Sequence, residues 1–168
     1  MIAPSPGSTA TTDGGGCWVV SVPGDAGRPI RFAPDDRGAG VAPEGAARIL
    51  VVEDEYLVAN DIETALAEAG FEVVGVAASA DQAVRLARQE KPALAIVDIR
   101  LMGKRDGVDA AIEMAQSLGV RSLFATAHLD SAMRARAQLA APLGWLAKPY
   151  RMEALVAAIR QALKDLSG

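Results

Sequence analysis

Five short apolar runs punctuate the chain, and each is followed by a stretch with helical spacing. The first run, Ile49-Leu50-Val51-Val52, is uniformly apolar rather than alternating. It reads as a strand buried on both faces, which belongs in a parallel sheet. Tyr56 to Ala69 then carries Leu57, Val58, Ile62, Ala65, Leu66 and Ala69 at helical spacing, and Gly70 is placed to stop it as a left-handed cap. Phe71 to Ala78 is β-branched and predicts a second strand. Ser79-Ala80-Asp81-Gln82 has the form of a capping box. It opens a helix with Val84, Leu86 and Ala87 inward, closed by Pro92. Ala93 to Val97 predicts a third strand, ending at Asp98, and a polar loop from Arg100 to Gly107 leads to a helix over Val108 to Leu118, capped by Gly119. Val120 to Ala125 gives a fourth strand ending at Thr126, and a helix follows near Asp130 to Leu139. Leu143 to Ala147 is a fifth strand ending at Lys148-Pro149. The last helix, Met152 to Leu166, has Leu155, Val156, Ile159, Leu163 and Leu166 on one face.

Strand followed by helix, five times over, calls for a parallel sheet covered by helices on both faces through right-handed crossovers. The predicted class is therefore α/β, a doubly wound, flavodoxin-like (βα)5 sheet with strand order 2-1-3-4-5. This domain spans residues 47–168. The 46 residues before it differ in composition: they hold 6 of the 9 prolines and 9 of the 16 glycines. They predict a flexible Pro/Gly-rich leader, residues 1–46, with no periodicity over 1–16 and a linker over 33–46. Within it, Trp18–Val22 and Ile30–Phe32 offer a short hairpin over 18–32, across Pro23–Gly27, which Pro29 weakens.

Composition excludes several classes of function. The lone cysteine, Cys17, allows no internal disulfide and has no basic neighbour to activate its thiol. No run of about 18 apolar residues exists to span a membrane, and the N-terminus lacks the form of a secretory signal, so a cytoplasmic protein is expected. A net charge of −4 and 4% aromatics argue against a nucleic-acid surface.

Ligands of such sheets bind outside the carboxyl ends of the strands. The residues predicted there are Glu53 and Asp54 after the first strand, Asp98 after the third, Thr126 after the fourth and Lys148 after the fifth. Each is ordinary by itself: acids favour a helix N-terminus, and a lone Asp, Thr or Lys suits a turn or a wet surface. Together, on one edge, they make a site. Three carboxylates repel one another unless a hard cation such as Mg²⁺ neutralises them. An ammonium and a hydroxyl beside them suit phosphoryl transfer, with Asp98 as the nucleophile that forms an acyl phosphate.

These residues and their neighbours resemble the receiver domain of two-component response regulators. The motifs are Ile49-Leu50-Val51-Val52-Glu53-Asp54-Glu55, Ile96-Val97-Asp98, Phe124-Ala125-Thr126-Ala127 and Ala147-Lys148-Pro149-Tyr150. The resemblance implies that Asp98 accepts a phosphoryl group from a sensor histidine kinase or a histidine phosphotransfer protein. It implies Mg²⁺ on Glu53, Asp54, Asp98 and the backbone carbonyl of Arg100. Thr126 would bond the phosphoryl group, Lys148 would pair with Asp98 and then with the phosphate, and the Lys148–Pro149 bond would be cis. Such a domain is a signalling module, an enzyme only toward its own Asp98. Arg100 and His128, two residues after Asp98 and Thr126, lie where the family tunes phosphoryl lifetime.

Two departures stand out. Trp145 fills the switch position where the family commonly has Tyr or Phe. Met102 stands where a proline is frequent, and the loop through Gly103-Lys104-Arg105-Asp106-Gly107 looks one residue longer than usual. That loop is similar to those of alphaproteobacterial receivers that work with HWE-type kinases. With no recognisable output motif after Leu166, the expectation is a stand-alone receiver that signals by contact with a downstream protein target, with neither nucleic acid nor membrane as partner and with a homodimer among the arrangements it admits. A pseudo-receiver, binding a partner without phosphorylation, would have lost one of the acids, Thr126 or Lys148; none is lost. A haloacid dehalogenase-type phosphohydrolase would want a second Asp where Arg100 stands.

Overall fold

The computed structural model describes residues 10–13, 17–20, 30–32, 45–127 and 130–168. The chain divides into two units, Met1–Val41 and Ala42–Gly168. In the first, β1 (Ala10–Asp13), β2 (Cys17–Val20) and β3 (Ile30–Phe32) form an antiparallel sheet in the order β1-β2-β3. Strand β1 lies in a stretch the sequence reads as without periodicity. Its β-branched Thr11 and Thr12 stand in register with Val19 and Trp18. The expected turn at 23–27, all but the last two residues of the linker expected over 33–46, the Cys17 thiol and His128 lie outside the described residues.

The second unit runs β4 (Arg48–Val52), α1 (Tyr56–Glu68), β5 (Glu72–Ala77), α2 (Ala80–Glu90), β6 (Leu94–Asp98), α3 (Gly107–Leu118), β7 (Ser122–Thr126), α4 (Ser131–Ala137), a 3₁₀ turn (Gln138–Ala140), β8 (Gly144–Ala147) and α5 (Met152–Ser167). All strand pairs are parallel, in the order β5-β4-β6-β7-β8. That is the expected 2-1-3-4-5 flavodoxin-like order. Side chains alternate across the sheet as strand geometry requires. Leu50, Val52, Ala95, Val97 and Phe124 pack with Ala83, Val84, Val108, Ala111 and Met114, on the side of α2 and α3. Ile49, Val51, Leu94, Ile96 and Leu123 pack with Ile62, Leu66, Leu155 and Ile159, on the side of α1 and α5. Both faces of the central strands are therefore dry, which is why their sequences are continuous apolar runs.

The element ends follow local chemistry. Ser79 caps α2, its hydroxyl accepting from the Gln82 amide at 3.3 Å. The Gln82 side chain accepts from the Ala78 amide, not that of Ser79, so the box expected there is half of one. Lys91 and Ala141 take left-handed backbone at φ 49° and 45°. Each precedes a proline, whose ring disfavours helical backbone in the residue before it. The fourth helix, expected to run to Leu139, ends at Ala137 and passes into the 3₁₀ turn, which stops at Ala141, and Leu139 is left exposed. Leu57, expected inward on α1, is 69% exposed, while Ala59, Ile62 and Leu66 face the core. Leu166, at the end of α5, is also exposed. No helix among the described residues is long and apolar enough to cross a membrane.

Candidate functional site

Because every strand runs the same way, the residues ending β4, β6, β7 and β8 meet at one edge of the sheet. Glu53 and Asp54 follow β4, Asp98 ends β6, Thr126 ends β7, and Lys148 follows β8. Strand β5, at the outer edge, ends in Ala77 and contributes no charged group.

Glu53 is 4% exposed and Thr126 6%, the depth of core residues. The Lys148 ammonium ties two of the acids together, 2.7 Å from Asp98 Oδ2 and 2.8 Å from Glu53 Oε2. One oxygen from each of Glu53, Asp54 and Asp98 can be chosen so that all three lie within 4.8 Å of one another. Backbone amides hold three of the other carboxylate oxygens. Arg100 N donates to Asp98 Oδ1 at 3.0 Å, Met102 N to Asp54 Oδ2 at 2.9 Å, and Glu55 N to Glu53 Oε1 at 3.2 Å. The Lys148 amide donates to the Thr126 carbonyl at 2.9 Å, which locks the β8 exit beside the β7 end. The Lys148–Pro149 bond is cis.

Burial raises the Glu53 pKa, and the hydrogen bond and charge of Lys148 only partly offset it. For Lys148, burial works against the charged form, but the hydrogen bonds to Asp98 and Glu53 outweigh it and push its pKa up. A fully charged ammonium is thus held against two carboxylates, which leaves a net anionic cluster of oxygen donors. Those are the donors a hard divalent cation takes, so the residues present fit Mg²⁺. Beside Lys148 a cavity of about 440 Å³ opens between Val58 and Asp61 on α1 and Pro149, Tyr150 and the first residue of α5, Met152.

Asp98, Glu53, Asp54 and Lys148 are brought together as the sequence predicts. Thr126 stands one residue beyond Ala125, the register partner of Asp98. The Arg100 side chain is exposed, and its amide binds Asp98. Trp145 stacks on Phe124 with ring centroids 4.8 Å apart, and the Arg134 guanidinium lies 5.6 Å from the Trp145 centroid. Met102 explains itself locally: the amide it gives to Asp54 is one a proline would lack.

Sequence reasoning missed the supports of the loop after Asp98. Asp106 and Asp109 form a reciprocal capping box at the start of α3, which the spacing Asp106-Gly107-Val108-Asp109 could have revealed. Gly107 packs so tightly that a Cβ there would lie 1.9 Å from the Asp98 carbonyl oxygen. Arg105 bridges Asp81 on α2 and Glu113 on α3, at 2.8 and 2.6 Å, and Arg136 on α4 pairs with Asp106. No local sequence signal announces these long-range pairs.

Comparison with known proteins gives consistent results. A family model described as the response regulator receiver domain matches residues 49–160. Over 116 residues the chain is 38% identical to the transcriptional regulatory protein PdtaR of Mycobacterium tuberculosis, covering 69% of this chain and 56% of that protein. It is 33% identical to the phyllosphere-induced regulator PhyR of Methylorubrum extorquens, over 80% of this chain and 50% of that one. The chain thus spans about half the length of these curated relatives. Among solved structures, the signal receiver domain of a modulated diguanylate cyclase from Desulfovibrio desulfuricans is similar at 34% identity and a TM-score of 0.68, covering 73% of this chain and 97% of that one.

Proposed function

From the premise that this chain belongs to the response regulator receiver domain family, we propose that it accepts a phosphoryl group on Asp98 and passes the signal on by protein contact. The observation that carries this reading is Lys148 bridging Asp98 and the buried Glu53, with Asp54 completing an anionic cluster. The donor would be a phosphohistidine on a sensor kinase or phosphotransfer protein. An Asp98 carboxylate oxygen forms the new bond to phosphorus as the phosphorus–nitrogen bond breaks, and the leaving imidazole takes up a proton. Glu53, Asp54, Asp98 and the Arg100 carbonyl would hold Mg²⁺, which supplies positive charge where phosphoryl oxygens gather.

The protein's own groups do the positioning. The Arg100 amide fixes the Asp98 carboxylate, so its attack needs little reorganisation. Lys148 sits on Asp98 Oδ2 and can follow onto a phosphoryl oxygen without crossing the site. Thr126, at the end of the neighbouring strand, would donate its hydroxyl to the phosphoryl group. Arg100 and His128 would set how long the phosphoryl group survives. A face built from α4, β8 and α5 would carry the output, shifted between two populations by the modification.

Incubating the full chain with Mg²⁺ and acetyl phosphate, then weighing the intact protein, tests the assignment. Wild type gains one phosphoryl mass and Asp98→Asn gains none. Gain by both, or by neither, refutes it.

A further inference from the structure

Helix α4 carries two arginines that reach to different parts of the phosphoacceptor site. Arg136 pairs with Asp106, the N-cap of α3. Asp106 in turn accepts from the Asp109 amide at 3.0 Å, while the Asp109 carboxylate accepts from the Asp106 amide at 3.2 Å. The next residue, Gly107, lies against the Asp98 carbonyl, and its amide donates to the Ile99 carbonyl at 2.9 Å. The place where α3 starts is therefore the place where the Asp98 backbone rests. Arg134, two residues earlier on the same helix, stacks over Trp145, which packs on Phe124. Phe124 lies two residues before Thr126 and Trp145 three before Lys148. Residues two apart on a helix point roughly 200° from each other, so one short helix can hold both contacts.

We propose that Arg136 is a positioning residue for Asp98. Its pair with Asp106 fixes α4 to the start of α3, and through Gly107 this sets the backbone that carries the phosphoacceptor. The proposal rests on the reading of Asp98 given above. It also implies reciprocity: whatever strengthens the site must tighten the hold on α4 by the same factor, and a partner that draws Arg136 away must weaken the site.

The test uses the full chain with Arg136→Gln, Asp106→Ser, both together, and Arg136→Lys. Serine removes the charge at Asp106 but remains a good N-cap. Mg²⁺ affinity is read by calorimetry, and phosphorylation by the initial rate of mass gain from acetyl phosphate. Each single neutral variant is expected to weaken Mg²⁺ binding and slow phosphorylation roughly two- to fivefold, the range set by one partly exposed ion pair. The double variant is expected to be no worse than the weaker single one, and Arg136→Lys to keep most of the wild-type value. Single variants that match wild type in both readouts, effects that multiply in the double variant, or a lower melting temperature with unchanged Mg²⁺ affinity would each overturn the proposal. If wild-type protein gains no phosphate, the Asp98 reading fails, and the Mg²⁺ titrations still decide on Arg136.

Discussion

Gly107→Ala puts the geometry of the phosphoacceptor loop to a test whose sign is informative. Gly107 opens α3, and in a helix alanine is favoured over glycine by about 1 kcal/mol. On propensity alone the variant should be more stable than wild type. Packing says the opposite. The added Cβ would stand 1.9 Å from the Asp98 carbonyl oxygen, 2.8 Å from the Asp98 carbonyl carbon and 2.8 Å from Val97 Cγ1. Two of those atoms are backbone, at the end of a strand paired on both sides, so they cannot swing away as a side-chain tip would. The start of α3 and the end of β6 must separate by about 1 Å to relieve the overlap, and overpacking of this kind costs about 3 kcal/mol. Net of helix propensity, the variant should lose about 2 kcal/mol, a fall of roughly 6–10 °C in melting temperature for a domain of this size. The atoms that yield belong to the phosphoacceptor, and a misplacement of about 1 Å can cost about a hundredfold in rate. Two assays therefore apply: thermal melting by circular dichroism, and mass gain from acetyl phosphate with Mg²⁺. Gly119→Ala is the control. Gly119 has φ +69°, so alanine there strains the end of α3 by about 1 kcal/mol, but it touches nothing at the site. It should melt lower and phosphorylate at the wild-type rate. A Gly107→Ala protein that melts at or above wild type, or that phosphorylates within twofold of it, would refute the close approach on which this reasoning depends.

Two further outcomes follow from the site and its flank. Lys148→Met removes the only ammonium bonded to Asp98 and the buried Glu53 among the described residues. Without divalent cation the variant should lose about 1–3 kcal/mol, the cost of stranding a buried acceptor. Mg²⁺ should restore more stability to it than to wild type, as read by urea unfolding in EDTA and in Mg²⁺; equal restoration would show that Lys148 and the cation do not share the same carboxylates. Trp145→Ala deletes the ring stacked on Phe124 and should cost about 2–3 kcal/mol in urea unfolding, with Trp145→Phe costing less than half as much. Equal losses for the two variants would mean that the indole, rather than apolar stacking, supplies the contact.

The parts of this molecule that the sequence makes legible share one cause. A strand buried on both faces must be apolar throughout, so where it ends and polar residues begin is visible in the chain itself. In a parallel sheet all such endings fall on one edge. That is why Glu53, Asp54, Asp98, Thr126 and Lys148 can be grouped from the sequence alone. Lys91 and Ala141, where helical backbone stops, each precede a proline, a boundary signal that stands in the sequence itself. Leu57 misleads because helical spacing says which residues share a face, while the neighbouring element decides which face is covered. The loop after Asp98 resists for a different reason. Its shape comes from Arg105 reaching Asp81 and Glu113, from Arg136 reaching Asp106, and from one glycine whose side is filled by a carbonyl. None of these has a period or a motif, because each partner is set by the fold rather than by spacing along the chain. The residues that supply the chemistry are therefore readable at strand ends, whereas those that hold them in place become visible only when the helices are packed. In this chain the second group converges on the backbone of Asp98, so a substitution at Gly107 or Arg136 should alter phosphorylation although neither residue contributes a ligand or a nucleophile.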